Sequence, residues 1–202
     1  VQARASAFDG GWGDYTPPIP QTPGLTVIYD TDVADLRGYI DWSPFFATWE
    51  MKGQYPAILY DPDKGATARE LFDNAQAMLD RIESEGWFSP RGVVGLWPAN
   101  SQGDDILVWT NENRDTLRAR MPQLRQQRNK TGETAQMCLA DFIAPEGTPD
   151  WVGGFTVTTG PEVHDIADRL KAEGNDYDSI MVQALGDRLA EVGQEFVYQG
   201  EA

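Results

Sequence analysis

The sequence predicts an α+β fold with a largely antiparallel sheet, and three observations carry that prediction. Helical periodicity comes first, strand-like runs occupy the middle, and two helices close the chain, without the regular alternation that builds a parallel sheet. Hydrophobic residues make up 41% of the 202 residues, and seven of these are Trp, enough apolar and ring area for a sizeable core. The length suits one large domain or two small ones, and one is expected.

The elements follow in order. Residues 1–24 are rich in Gly and Pro and end in Tyr15-Thr16-Pro17-Pro18-Ile19-Pro20, which predicts an extended lead-in or linker ahead of a core over 25–202. Leu25 to Tyr29 is a short strand. Asp32 can cap a brief helix through Ile40. Ser43-Pro44 marks another helix start, because Pro tolerates the first helical position and the Ser oxygen can accept an orphan N–H. Phe45, Phe46 and Trp49 then fall at helical spacing. Over 66–85, Ala68, Leu71, Phe72, Ala75, Met78, Leu79 and Ile82 share one face, and Gly86 ends the helix.

Gly92 to Trp97 reads as a buried strand stopped by Pro98, and Asp105 to Thr110 as its neighbour, with 99–104 as the connection. Leu117 to Leu124 is a third strand or irregular. Trp151 to Thr159 is a fourth, where Gly153-Gly154 invites a bulge or close approach. Helices follow over 161–173 and 176–198. In the second, Tyr177, Ile180, Met181, Ala184, Leu185, Leu189, Val192 and Phe196 form a broad apolar stripe.

Charge and composition exclude several functions. Acidic residues number 32 against 16 basic ones, and the basic ones are scattered, so binding to a phosphate backbone or an anionic membrane surface is opposed. No run approaches the ~18 consecutive apolar residues of a spanning helix. The start Val1-Gln2-Ala3-Arg4 has neither Met nor a signal pattern, as expected of a piece of a longer polypeptide. Cys138, the one cysteine, sits in an apolar run and is expected to be a reduced core residue in a cytoplasmic protein.

The single His164 excludes multi-histidine metal sites and is expected on an exposed helix face. Its surroundings, Glu162-Val163-His164-Asp165-Ile166-Ala167, also lack the Asp-x-His-x-x-Gly form of a cobalamin-ligating loop. No phosphate loop or dinucleotide fingerprint occurs. A binding module is therefore expected rather than a self-sufficient catalyst, with no catalytic residue and no metal.

Two carboxylates stand out. On a helical wheel Glu191 falls between Ile180 and Ala184, inside the margin of the apolar stripe, where a charge needs a partner. That partner is either Arg188 three residues earlier or a cationic ligand. Asp41, between Ile40 and Trp42, either stabilises the N-terminus of the next helix or holds an amino group.

Four groups of motifs then matter together. Tyr39-Ile40-Asp41-Trp42-Ser43-Pro44-Phe45-Phe46 is followed by Gly53-Gln54-Tyr55-Pro56. Next come Pro90 to Asn100 (Pro-Arg-Gly-Val-Val-Gly-Leu-Trp-Pro-Ala-Asn), Gly103-Asp104-Asp105-Ile106 and Leu124-Arg125-Gln126-Gln127. Cys138-Leu139-Ala140-Asp141-Phe142-Ile143-Ala144-Pro145 and the helix Ile180 to Glu191 complete the set. In order and spacing, from about residue 14 to 195, the chain resembles the activation domain of cobalamin-dependent methionine synthase.

The resemblance implies a C-shaped domain built on a twisted antiparallel sheet flanked by helices. It implies binding of S-adenosylmethionine, whose methyl group serves reductive remethylation of inactive cob(II)alamin in methionine biosynthesis. Cobalamin itself is expected on a partner module, and flavodoxin or a similar reductant is expected to supply an electron. The aspartate and glutamate that contact the ligand in that family match Asp41 and Glu191. Carboxylates suit a ligand carrying both an ammonium and a sulfonium. The family also has a later Arg-x-x-x-Gly-Tyr segment that grips the ligand's carboxylate and adenine, and this sequence, ending at Ala202, lacks it; truncation relative to the family is expected. The alternative is a docking module for the cobalamin-carrying subunit or a redox partner that binds no S-adenosylmethionine.

Overall fold

A computed structural model describes residues 5–13, 15–28, 31–127 and 135–200, with side chains described through residue 193. Strand β1 (Gly24–Ile28) precedes α1 (Val33–Arg37), α2 (Trp42–Thr48), a 3-10 turn at Ala57–Tyr60 and the long α3 (Gly65–Glu85). Strands β2 (Arg91–Gln102), β3 (Asp105–Trp109) and β4 (Leu117–Pro122) follow. A second 3-10 turn (Leu139–Phe142), β5 (Asp150–Thr158), α4 (Glu162–Ala172) and α5 (Asp176–Gly200) complete the order. No helix among the described residues is long and apolar enough to cross a membrane.

The strands join in the order β1-β2-β3-β4, with β5 paired to β2. The β2–β3 and β3–β4 pairs are antiparallel, as the sequence predicts. Two boundaries differ from expectation: α1 ends at Arg37 rather than Ile40, and β2 runs through Pro98 instead of stopping there. Its ladder with β3 begins at Ala99↔Val108 and ends at Gln102↔Asp105, so the residue lacking an N–H stands just outside that ladder. Gly103, at φ 66°, then supplies the left-handed turn that closes the hairpin.

The chain divides into two compact units. The helical unit, Val27–Val94 and Phe155–Gly200, has a core drawn from all five helices. Phe45 and Phe46 of α2 are fully buried there, each stabilising the fold by roughly 1.5–3 kcal/mol. From α3 come Ala68, Leu71, Ala75, Met78, Leu79 and Ile82, the face the heptad-like spacing predicts; Phe72 packs against it half-buried. From α5 come Met181, Val182, Leu185, Leu189 and Val192.

The second unit is the sheet unit, Val1–Thr26, Gly95–Gly154 and Glu201–Ala202. It has a smaller core of Ala99, Ile106, Val108, Cys138 and Ala140, against which Trp97, Ile143 and Val152 pack. Cys138 is free and buried, as expected.

Candidate ligand-binding site

Asp41 is the N-cap of α2 in extended conformation, and its Oδ1 accepts the backbone N–H of Ser43 at 2.9 Å. The cap thus falls to Asp41 rather than to the Ser43-Pro44 pair. The Ser43 hydroxyl oxygen instead accepts the backbone N–H of Tyr55 at 3.1 Å, which ties the first sequence motif to the second. Aromatic packing reinforces the tie: the Tyr55 ring lies 5.5 Å from Phe72, stacked, and the Trp42 ring meets Phe72 edge-on at 4.8 Å. Asp41 is exposed at the end of this rigid assembly. Its backbone bond orients the carboxylate, and among the described residues Oδ2 has no hydrogen-bond partner.

Glu191 lies outside the buried face of α5, contrary to the reading of the helical wheel. The stripe that is actually buried is Met181, Val182, Ala184, Leu185, Leu189 and Val192, and Ile180 is 47% exposed. Glu191 shares the angular position of Ile180, so the same rotation of the helix carries both to the surface. Arg188, one turn earlier, donates to the Glu191 carboxylate. With 55% of its side chain exposed, Glu191 gains little stability from that pair.

Both carboxylates belong to the helical unit. Leu36 of α1 lines one small void together with Leu189, Ala190 and Gly193 of α5. The helix that delivers the chain to Asp41 therefore packs on the turn of α5 that carries Glu191. Farther along, Trp49, which caps α2, packs on Tyr177 at the start of α5 with ring centroids 5.0 Å apart. His164 is exposed on α4, as expected.

In the sheet unit, the motifs around Arg125, Asp141 and Asn100 form buried polar clusters. Arg125 donates all five of its N–H bonds: Nε and Nη2 to Asp104 Oδ1, Nη1 to the Gln136 carbonyl and Asp141 Oδ2, and Nη2 also to Asp141 Oδ1. The Arg125 and Asp141 side chains are only 5% and 6% exposed. The guanidinium holds the Asp141 carboxyl below its ordinary value, and the two carboxylates raise Arg125 in return. Asn100 does similar work, donating to the carbonyls of Pro145 and Thr148 at 3.1 and 2.8 Å while accepting from Trp109 Nε1. The signal in the sequence was a polar residue embedded in an apolar run, as in Leu139-Ala140-Asp141-Phe142 and Trp97-Pro98-Ala99-Asn100.

The fold and these motifs define a class. A solved structure, the crystal structure of the MetH reactivation domain bound to AdoHcy, matches with a TM-score of 0.92 and 45% sequence identity. The match covers 98% of this chain and 61% of that one, so the chain spans under two thirds of its relative. The family model for the activation domain of vitamin B12 dependent methionine synthase matches residues 32–200. The chain belongs to that family.

Proposed function

We propose that this chain binds S-adenosylmethionine and presents it for the reductive remethylation of cob(II)alamin carried by another module of a methionine synthase. The observation that carries this reading is the relative at 45% identity solved with AdoHcy, the demethylated form of the same ligand. Asp41 and Glu191 are the proposed contacts. Each is exposed, and Asp41 has a free carboxylate oxygen of fixed orientation. When bound, the ligand supplies an electrophilic methyl group. The chain's own part is to hold the α-ammonium and the sulfonium near carboxylates, which favours the cationic ligand electrostatically. An acidic one-electron donor of the flavodoxin kind and a cytoplasmic setting complete the proposal. The free, buried Cys138 supports the reducing compartment.

Titration calorimetry with S-adenosylmethionine tests this directly. Glu191→Ala is expected to weaken binding by about tenfold, the effect of one charge-assisted contact. If neither this chain nor a longer chain of the same protein binds the ligand at millimolar concentration, the reading is wrong.

A further inference from the structure

The helical unit holds a cavity that neither proposed contact reaches. It measures about 600 Å³ and opens between the start of α1, the end of α3 and the segment leading into β2. Neither Asp41 nor Glu191 lines it. Its size lies within the range of roughly 300–1,000 Å³ usual for small-molecule sites. The floor is apolar and buried, made of Val33, Ile82, Phe88 and Pro90. The rim is polar: Thr31 and Ser89 bring hydroxyls, and the exposed Asp32 and Arg91 bring opposite charges.

Both of those charges have capacity left for a ligand. Asp32 stands at the N-cap position of α1 yet makes no side-chain hydrogen bond to the helix. Arg91 is aimed from behind, because its Nη2 donates to Ser89 Oγ at 3.1 Å while Ser89 donates to Glu162 Oε1 at 3.0 Å. Glu162 itself lies 3.9 Å from Nη2, a loose pair that leaves Nε and Nη1 without a partner among the described residues. The other charge on the lining, Glu83, is taken by Arg37 at 3.1 Å. One carboxylate and one edge of a guanidinium therefore stand open above an apolar floor.

A matching ligand carries both signs on its head and an apolar tail. A simple anion would meet repulsion from Asp32, and a simple cation would meet it from Arg91. We propose that this cavity is a second binding site, for an α-amino acid with a flexible apolar side chain. Its carboxylate lies on Arg91, its ammonium on Asp32 and its side chain over Phe88. A thioether chain suits this floor, since an unbranched chain adapts to irregular gaps and sulfur gains from contact with an aromatic ring. The site is separate from the one proposed for S-adenosylmethionine, and the inference does not depend on that function.

The test is calorimetric titration of L-methionine into this chain, beside 4-(methylthio)butanoate, which lacks the ammonium, and 3-(methylthio)propylamine, which lacks the carboxylate. L-methionine is expected to bind at millimolar concentration, and each analogue about tenfold more weakly. Asp32→Asn and Arg91→Met should each weaken L-methionine by a similar factor. Thermal melting checks the fold of both variants. Should Arg91→Met melt early, Asp32→Asn carries the comparison, because Asp32 has no helix-cap bond to lose. Binding of L-methionine should also persist in saturating S-adenosylmethionine. No binding by the wild type, an unchanged affinity in both variants, or analogues that bind as tightly as L-methionine overturns the proposal. Strict competition by S-adenosylmethionine overturns it too, by placing methionine in the other site, and leaves the proposed function standing. A chain that binds L-methionine at the cavity but no S-adenosylmethionine keeps this inference and counts against the proposed function alone.

Discussion

Arg125 gathers two carboxylates and a backbone carbonyl onto one buried guanidinium, so its loss should be the most damaging single change in the sheet unit. Removing one member leaves an uncompensated buried charge, which typically costs about 3–5 kcal/mol. Arg125→Met should therefore lower the denaturant midpoint sharply, and a shift below about 1 kcal/mol would show the clamp to be dispensable. Asp141 gives the pH dependence. Its folded-state pKa lies below the unfolded value of 3.8, so the unfolded chain takes up the proton first. The stabilisation is complete above that value and declines as pH falls through it toward the folded pKa. Urea midpoints measured across the acid range should show that decline in the wild type and a flatter profile in Asp141→Asn. At Asp41 two roles coincide and two variants separate them. Asp41→Asn keeps a side-chain oxygen for the Ser43 N–H, so stability should hold while S-adenosylmethionine binding weakens; Asp41→Ala should lose binding and about 0.5–2 kcal/mol of stability together.

At the scale of elements, α3 was the most legible piece of the fold, because one residue at its end does what sequence rules demand. Gly86 takes φ 63°, and its N–H caps the carbonyls of Ile82 and Glu83. A Cβ there would meet nothing within 4 Å, so Gly86→Ala tests the backbone alone. Roughly 1–2 kcal/mol of destabilisation is expected from the left-handed conformation, read as a lower thermal midpoint. An unchanged midpoint would mean that the last turn simply rearranges. The strands were less legible where they depend on partners distant in sequence. Pro98 reads as a stop because the sequence does not reveal that the β2–β3 ladder begins one residue later. The wheel of α5 misplaced Glu191 because Ile180, apolar but 47% exposed, widened the stripe on that side beyond what the other helices cover. Asp41 was legible as a helix-start residue from its own neighbours. The Arg125 cluster was not, since it joins Asp104, Asp141 and the Gln136 carbonyl across long separations, and no local pattern announces a pairing of that kind.

For the whole molecule the governing quantity is charge. The net charge of −16 is concentrated in the helical unit, the unit that carries Asp41 and Glu191. A field of that sign acts differently on the three kinds of partner the proposed function needs. S-adenosylmethionine carries one net positive charge, and AdoHcy carries none. Raising ionic strength from about 0.01 to 1 M shortens the screening length from about 30 to 3 Å. The affinity for S-adenosylmethionine should fall over that range while the affinity for AdoHcy stays nearly level, and parallel slopes would show that the field does not reach the site. An acidic reductant meets the opposite effect. Its approach to this chain is repelled at long range, so its association rate should rise as salt is added, whereas electrostatically steered partners slow down. Stopped-flow association with an acidic flavodoxin decides the matter. A rate that falls with salt would require a locally basic docking face strong enough to outweigh the acidic surface, and the reductant would then have to engage the chain there.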